Sequence, residues 1–388
     1  NIATIALLPW AVKFLFGILS DKFGLKNLGR RKPWIVIPVS ISGLLWILIP
    51  FMITPANAVM IFTIGGLLIN IGVAMGDTAI DGMILDNCPK EKLGRTQGIC
   101  WGLRSVGAIV GGPILAFFLS FVQFGIVIIA LGSFMILSAF SLLIVKEKPL
   151  TRMSIDVRQN LTKIFGTKKN YKVFAFAATN SIVDGVIVLF LSLYIIVKMG
   201  LVSPEGANLS VLEENINLYE PQAYISAIVG VGIVVGSLIG GHIADLKSRK
   251  IAVYSAFLVT SVSLLLFLIP APVPILLLFA TLLGATSGWR NASYSAVIGQ
   301  VSQQYPEMDS SYYAICNSFT NLGTVLGLMV TSIIFSGLSE SSSDIIFMFG
   351  IVFIFMALIQ NLGILSFALI NKEEYEYALP NGQESEES

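Results

Sequence analysis

Eleven apolar runs account for most of the chain, at residues 2–20, 34–53, 58–85, 96–120, 124–145, 173–198, 222–243, 251–270, 273–298, 312–336 and 345–370. Each is near the roughly 20 residues that a helix needs to cross a bilayer. None shows the strict apolar–polar alternation of barrel strands. The pattern predicts eleven membrane-spanning helices. The polar segments between them differ in charge. Lys22, Lys26, Arg30, Arg31 and Lys32 follow the first run, and Lys90, Lys92 and Arg95 follow the third. Lys146, Lys148, Arg152, Arg158, Lys163, Lys168, Lys169 and Lys172 fill segment 146–172, and Lys247, Arg249, Lys250 and Lys372 come later. These are twenty of the 24 basic residues, all on one side of an alternating topology. The positive-inside rule makes that side cytoplasmic, with the C-terminus on it. One loop on that side, 299–311, carries no base. An odd number of spans leaves Asn1 outside, and the chain opens without an initiator Met, so one further helix is expected ahead of it.

Composition agrees. Hydrophobic residues make up 55% of the 388 positions and charged residues only 12%, against about 25% in soluble domains. The expectation is an integral multi-pass protein of the cell membrane, monomeric, with a disordered tail at 371–388. A net charge of +1 argues against nucleic acid as a partner. One histidine and three cysteines supply neither a metal spacing nor a disulfide framework, so no metal or cofactor is expected. Asn208-Leu209-Ser210 is a glycan acceptor if the source is eukaryotic.

The chain repeats itself. Gly17-Ile-Leu-Ser-Asp21-Lys22, with Arg30 and Arg31 beyond, returns 224 residues later as Gly241-His-Ile-Ala-Asp245, with Lys247, Arg249 and Lys250 beyond. Ile99-Cys100, Gly107 and Gly111 return 216 residues later as Ile315-Cys316, Gly323 and Gly327. The halves are read as 1–145 and 173–370, joined by the basic linker 146–172. The Gly-x-x-x-Asp-basic motif, present in both halves, resembles the signature loop of the major facilitator superfamily. Gly102, Gly107 and Gly111-Gly112-Pro113 resemble that family's glycine–proline motif. Leu25–Leu28 is an insertion relative to the pattern, and the fourth helix carries acids where many members carry a base. Pro9-Trp10-x-x-Lys13, Gly29-Arg30-Arg31-Lys32-Pro33-Trp34 and Asp77-Thr-Ala-Ile-Asp81-Gly82 are locally similar to the anhydromuropeptide permease, acetyl-coenzyme A and folate-biopterin carriers. The resemblance implies two six-helix bundles rocking about a midplane site, with Gly17, Asp21, Lys22, Arg30, Arg31, Gly241, Asp245, Arg249 and Lys250 as gating motifs.

Physical chemistry gives those motifs a mechanism. A carboxylate at a helix end, such as Asp21 or Asp245, accepts bonds from loop guanidinium groups and from free N–H groups of a neighbouring helix. Capping and topology alone are the plainer reading. Asp77 and Asp81, four apart, share one helix face. At 1.5 Å per residue Asp77 and Arg104 reach a similar depth, roughly 15 Å, so an ion pair is expected there. In the second half Asn291, Ser295 and Thr320 replace Asp77, Asp81 and Arg104, so the charge is not a demand of the fold. Two acids beside one base leave one carboxyl able to carry a proton. Asp184, with Asn180 one turn before it, is a second candidate. Arg290, with Asn291 and Tyr294, suits an anionic or carbonyl-bearing solute or is simply Asp184's partner. Lys13 is expected to snorkel or to act in the site. Asn70, Trp101, Asn317, Asn321 and Gln360 are able to line a cavity or to join helices. Glycines 107, 111, 112, 230, 232, 236, 240, 241, 323 and 327 are expected to let helices approach closely.

The first reading is a secondary transporter of a small, anionic or carbonyl-rich solute, coupled to protons or Na⁺. A sugar or cation symporter of the same fold is the alternative within the class. A Mg²⁺-dependent prenyltransferase-like enzyme is an alternative outside it, motivated by Asp77-x3-Asp81-x4-Asp86, though 291–300 supplies no second acidic cluster. A channel or receptor lacks any visible filter.

Overall fold

A computed structural model describes residues 8–25, 28–119, 121–147, 156–203, 216–341 and 344–376. Among these every regular element is helical, apart from an isolated bridge between Leu25 and Gly29. The helices are α1 (Lys13–Lys22), α2 (Lys32–Met52), α3 (Ala58–Asn87), α4 (Leu93–Ile109), α5 (Phe124–Ser141), α6 (Val157–Gly166), α7 (Lys168–Asn180) and α8 (Asp184–Lys198). They continue with α9 (Tyr219–Leu246), α10 (Arg249–Leu265), α11 (Val273–Ser302), α12 (Asp309–Ser341), α13 (Ile345–Ile359), α14 (Leu362–Ala368) and α15 (Lys372–Tyr375). Among the described residues ten stretches are long and apolar enough to cross a membrane, and they coincide with ten of the eleven runs. The first run lies partly outside the described residues, and what is described of it is Leu8–Ala11 and α1. The Asn208 acceptor also lies outside them.

Three features depart from the hydropathy pattern. The run at 173–198 is broken at 181–183 between α7 and α8. The Thr324 hydroxyl of α12 donates to Ser181 O at 3.3 Å, so α12 takes up backbone valence at the break, and the Ser181 hydroxyl donates in turn to Thr320 O at 2.5 Å. The run at 345–370 is likewise interrupted at Gln360-Asn361. The linker contains α6, started by Asp156, whose side chain accepts from Gln159 N at 3.0 Å. The expected disorder of the tail is corrected for 371–376: α15 forms, and Tyr375 is buried against Phe367 at 4.7 Å between ring centroids. Residues 377–388 lie outside the described part.

Contacts divide the chain into two compact units. One comprises Asn1–Asn87, Gly107–Ser181 and Ser302–Leu326, the other Cys88–Val106, Ile182–Val301 and Gly327–Ser388. In the first unit α2 packs on α3 and α5. Gly43 and Gly132 let α2 and α5 touch backbone to backbone, since a Cβ on either would sit 2.6 or 2.4 Å from the other's carbonyl oxygen. In the second unit an aromatic core joins Phe190, Tyr194, Phe267, Phe349 and Phe353, with Tyr194 edge-on to Phe353 at 5.3 Å. Gly236 lets α9 approach α11 so closely that a Cβ would lie 1.7 Å from Ala285 O. The expected close approach is not made at Gly107, Gly111 and Gly112, where an added Cβ has nothing within 4 Å among the described residues. Gly111-Gly112-Pro113 instead forms a wide π turn at Val110–Ile114. On α4 the approach is made by Gly94 and Gly98, which face Gly241 and Ser237 of α9.

Candidate functional site

Charges inside the first unit converge on Lys13. It opens α1 and is 4% exposed, so it does not snorkel. Its Nζ donates to Asp77 Oδ2 at 2.5 Å and to Asp81 Oδ2 at 3.1 Å. Two carboxylates within reach inside the bundle hold the ammonium better than a stretched path to the interface, where the stem would lose its contacts. Asn70, Asp77 and Asp81 fall on one stripe of α3 because they are seven and four residues apart. Trp10 completes the cluster, donating Nε1–H to Asn70 Oδ1 at 2.9 Å and lying 5.8 Å from Lys13 Nζ. Asp81 is buried, whereas the Asp77 side chain is 19% exposed. A proton taken by either carboxyl relieves the repulsion between them and changes the charge Lys13 feels by one.

Arg104, expected beside these acids by depth, presents an exposed face of α4 in the second unit, its guanidinium 5.3 Å from the Trp101 ring. Trp101 donates Nε1–H to Ser295 Oγ at 2.8 Å. Depth along a helix does not say which neighbour packs on it, and so Lys13 was not assigned to Asp77 and Asp81 from the sequence. The third acid of the Mg²⁺ reading, Asp86, accepts from Arg31 Nε at 2.9 Å. The acidic run is thereby shared between two cations, and among the described residues no His, Cys, Asp and Glu set is arranged to hold a metal.

At the basic end of the first unit, Asp21 Oδ1 accepts from Arg30 Nη2 and Arg31 Nη1, each at 2.6 Å. Its Oδ2 accepts from Ser311 N at 2.8 Å and from the Ser311 hydroxyl. Arg31 is 0% exposed and reaches Asp309 Oδ1 at 2.5 Å as well as Asp86. Burial opposes its charge most strongly, but Asp21, Asp309 and Asp86 together raise its pKa above the usual arginine value. The loop without bases is now explained: 299–311 supplies Asp309 and the Glu307 carbonyl to Arg30 and Arg31. Gly17 is where α1 and the start of α12 touch, since a Cβ there would lie 2.9 Å from Ser311 Cα. Lys22 is exposed beside Phe23.

The second unit repeats the arrangement. Asp245 accepts from Gly94 N and Arg95 N, both at 2.7 Å, and from Arg95 Nε at 3.2 Å. Asp21 and Asp245 thus meet the first residues of α12 and α4, which are themselves related by the repeat. Arg249 is buried like Arg31, and its guanidinium donates to Gln300 Oε1 at 2.8 Å, Tyr375 O at 2.7 Å and Lys90 O at 2.7 Å. Lys250 is exposed over Tyr254.

A further pair escaped sequence reading. Glu147 accepts from the backbone N–H groups of Arg30, Arg31 and Lys32 at 2.8, 2.6 and 3.2 Å. Glu376 accepts from Ser248 Oγ, Lys250 N and Arg249 N at 2.6, 2.9 and 3.3 Å. Each follows the last apolar run of its half and caps the start of the helix that comes after the Gly-x-x-x-Asp motif, α2 or α10. The signal was available in those two positions. Burial, with Glu376 beside it, pushes the Tyr375 phenol up to about 12.

Asp184, Arg290 and Gln360 come together in the second unit. Arg290 Nη2 donates to Asp184 Oδ1 and Nη1 to Gln360 Oε1 at 3.4 Å, with the guanidinium 5.9 Å from the Phe257 ring. Asn291 and Tyr294 are buried on the same helix, α11. Asn180, at the end of α7, is buried with neither amide atom hydrogen-bonded among the described residues. Asn317 is half-buried on α12, and Asn321 donates to Trp10 O at 3.5 Å.

Among the described residues the chain is all-helical, with stretches fit to cross a membrane and a basic-end motif that occurs twice. The family described as Major Facilitator Superfamily matches residues 2–212 and, a second time, 207–387. The chain belongs to that superfamily. Among curated proteins it is similar to "Probable folate-biopterin transporter 4" of Arabidopsis thaliana, with 28% identity over 149 residues. The match covers 38% of this chain and 30% of that protein's length.

Proposed function

We propose that the protein moves a small anionic or carbonyl-rich solute across the cell membrane by alternating access, as a monomer, driven by protons. The buried Lys13–Asp77–Asp81 cluster carries this reading. A cluster of this kind serves coupling when a proton on Asp77 or Asp81 loosens its hold on Lys13 and frees α1 to shift against α3. The halves 1–145 and 173–370 rock about the solute, and the basic end, taken as cytoplasmic, opens when Asp21 and Asp245 release the starts of α12 and α4. The plant relative's printed name adds pterins and folates to the solutes worth testing. The test is uptake into proteoliposomes from a panel of organic anions, pterins, sugars and peptides, with and without an inward proton gradient. Uptake of one class, raised by the gradient, is expected. Gradient-independent uptake of a neutral sugar would favour the symporter alternative without proton coupling.

A further inference from the structure

The second charged cluster has unused bonding capacity. A guanidinium carries five N–H donors. Arg290 is 1% exposed, yet it spends them on Asp184 and on one long contact to Gln360. Its Nε has no partner among the described residues, and neither has the buried Ser293 hydroxyl one turn along α11. Gln360 cannot turn to help, because its amide nitrogen is held by Phe257 O at 2.7 Å and Ser261 Oγ at 2.5 Å. Leaving such donors dry inside a bilayer is costly. Asp184, in contrast, is not locked in. Its side chain is 25% exposed, and it is the first residue of α8, directly after the non-helical turn 181–183. The Phe257 ring and Gln360 fix the guanidinium while its anionic partner sits at the movable end of a helix.

We propose that Arg290 is a carboxylate-binding site in which Asp184 stands in for a carboxylate of the transported solute. The incoming carboxylate takes the guanidinium fork bidentately, reaching Nη2 and the unused Nε, with Ser293 able to donate a further bond. Asp184 swings out on the 181–183 turn as the solute enters and returns when it leaves. An internal stand-in keeps the arginine paired in the empty protein, so a buried cation is never bare. The proposal rests on the transport reading above and names its substrate class as organic carboxylates.

The test uses the full chain in detergent, with glutarate as probe and neutral glutaramide as its control. Glutarate should raise the melting temperature of the wild type and glutaramide should not. Arg290→Lys keeps the charge but loses the fork, so the apparent Kd should weaken at least tenfold. Asp184→Asn removes the competing carboxylate, so the Kd should tighten at least tenfold. An equal glutarate shift in wild type and Arg290→Lys overturns the proposal, as does an unchanged or weaker Kd in Asp184→Asn or the absence of any shift in the wild type. If Asp184→Asn does not fold, wild type against Arg290→Lys decides alone. The readout needs no flux, so its failure leaves the transport reading standing. Lost uptake with the shift intact counts against transport and not against this site.

Discussion

Lys13 is the residue on which the first unit's buried electrostatics turn. It sits within bonding distance of two carboxylates that are themselves one helical turn apart. Removing one partner of a buried pair leaves charge without compensation, at a cost of about 3–5 kcal/mol. Lys13→Ala should therefore unfold several degrees earlier in detergent, and adding Asp81→Asn should recover part of the loss. Strictly additive effects would mean that the two groups do not interact. Asp21 and Asp245 were legible in the sequence because their motif occurs twice with the same bases after it. Lys13 was harder to read. Its distance from the end of its helix allowed snorkelling, and only the packing of α1 on α3 brings the acids to it.

At the scale of elements, helix contacts in a bilayer depend on shape more than on apolarity. Gly236 of α9 and Gly107, beyond the middle of α4, make opposite expectations. Gly236→Ala forces a Cβ onto the Ala285 carbonyl and should cost about 1–3 kcal/mol by overpacking. Gly107→Ala meets nothing within 4 Å among the described residues and should be neutral or stabilising by up to about 1 kcal/mol. Thermal melts of the two variants side by side check both. Glu147 and Glu376 are caps of α2 and α10, so Glu147→Gln and Glu376→Gln should each lower stability by about 0.5–2 kcal/mol. Limited proteolysis at 371–376 should accelerate in Glu376→Gln, because α15 loses the contact that ties it to Ser248 and Lys250. Ten helices were legible from length and apolarity alone. The break at 181–183 was not, because Ile182 and Val183 keep the run apolar while the Ser181 carbonyl is met by Thr324 of α12. Composition likewise said nothing of which glycines face a neighbour, and that is why Gly107, Gly111 and Gly112 were misassigned.

For the whole molecule, duplication was the most informative signal, and the family matches twice, at 2–212 and 207–387. The duplication is not carried through to charge. Asn291 and Ser295 stand in the second half where the first half has Asp77 and Asp81. That asymmetry is why the coupling chemistry is placed in the first half and the solute's carboxylate at Arg290. The most direct test is uptake and exchange of the solute found in the panel, compared in proteoliposomes of wild type and Asp81→Asn. The account expects Asp81→Asn to lose proton-driven accumulation at least tenfold while solute exchange at equal concentrations continues. Accumulation that survives in Asp81→Asn with its proton dependence unchanged would contradict it.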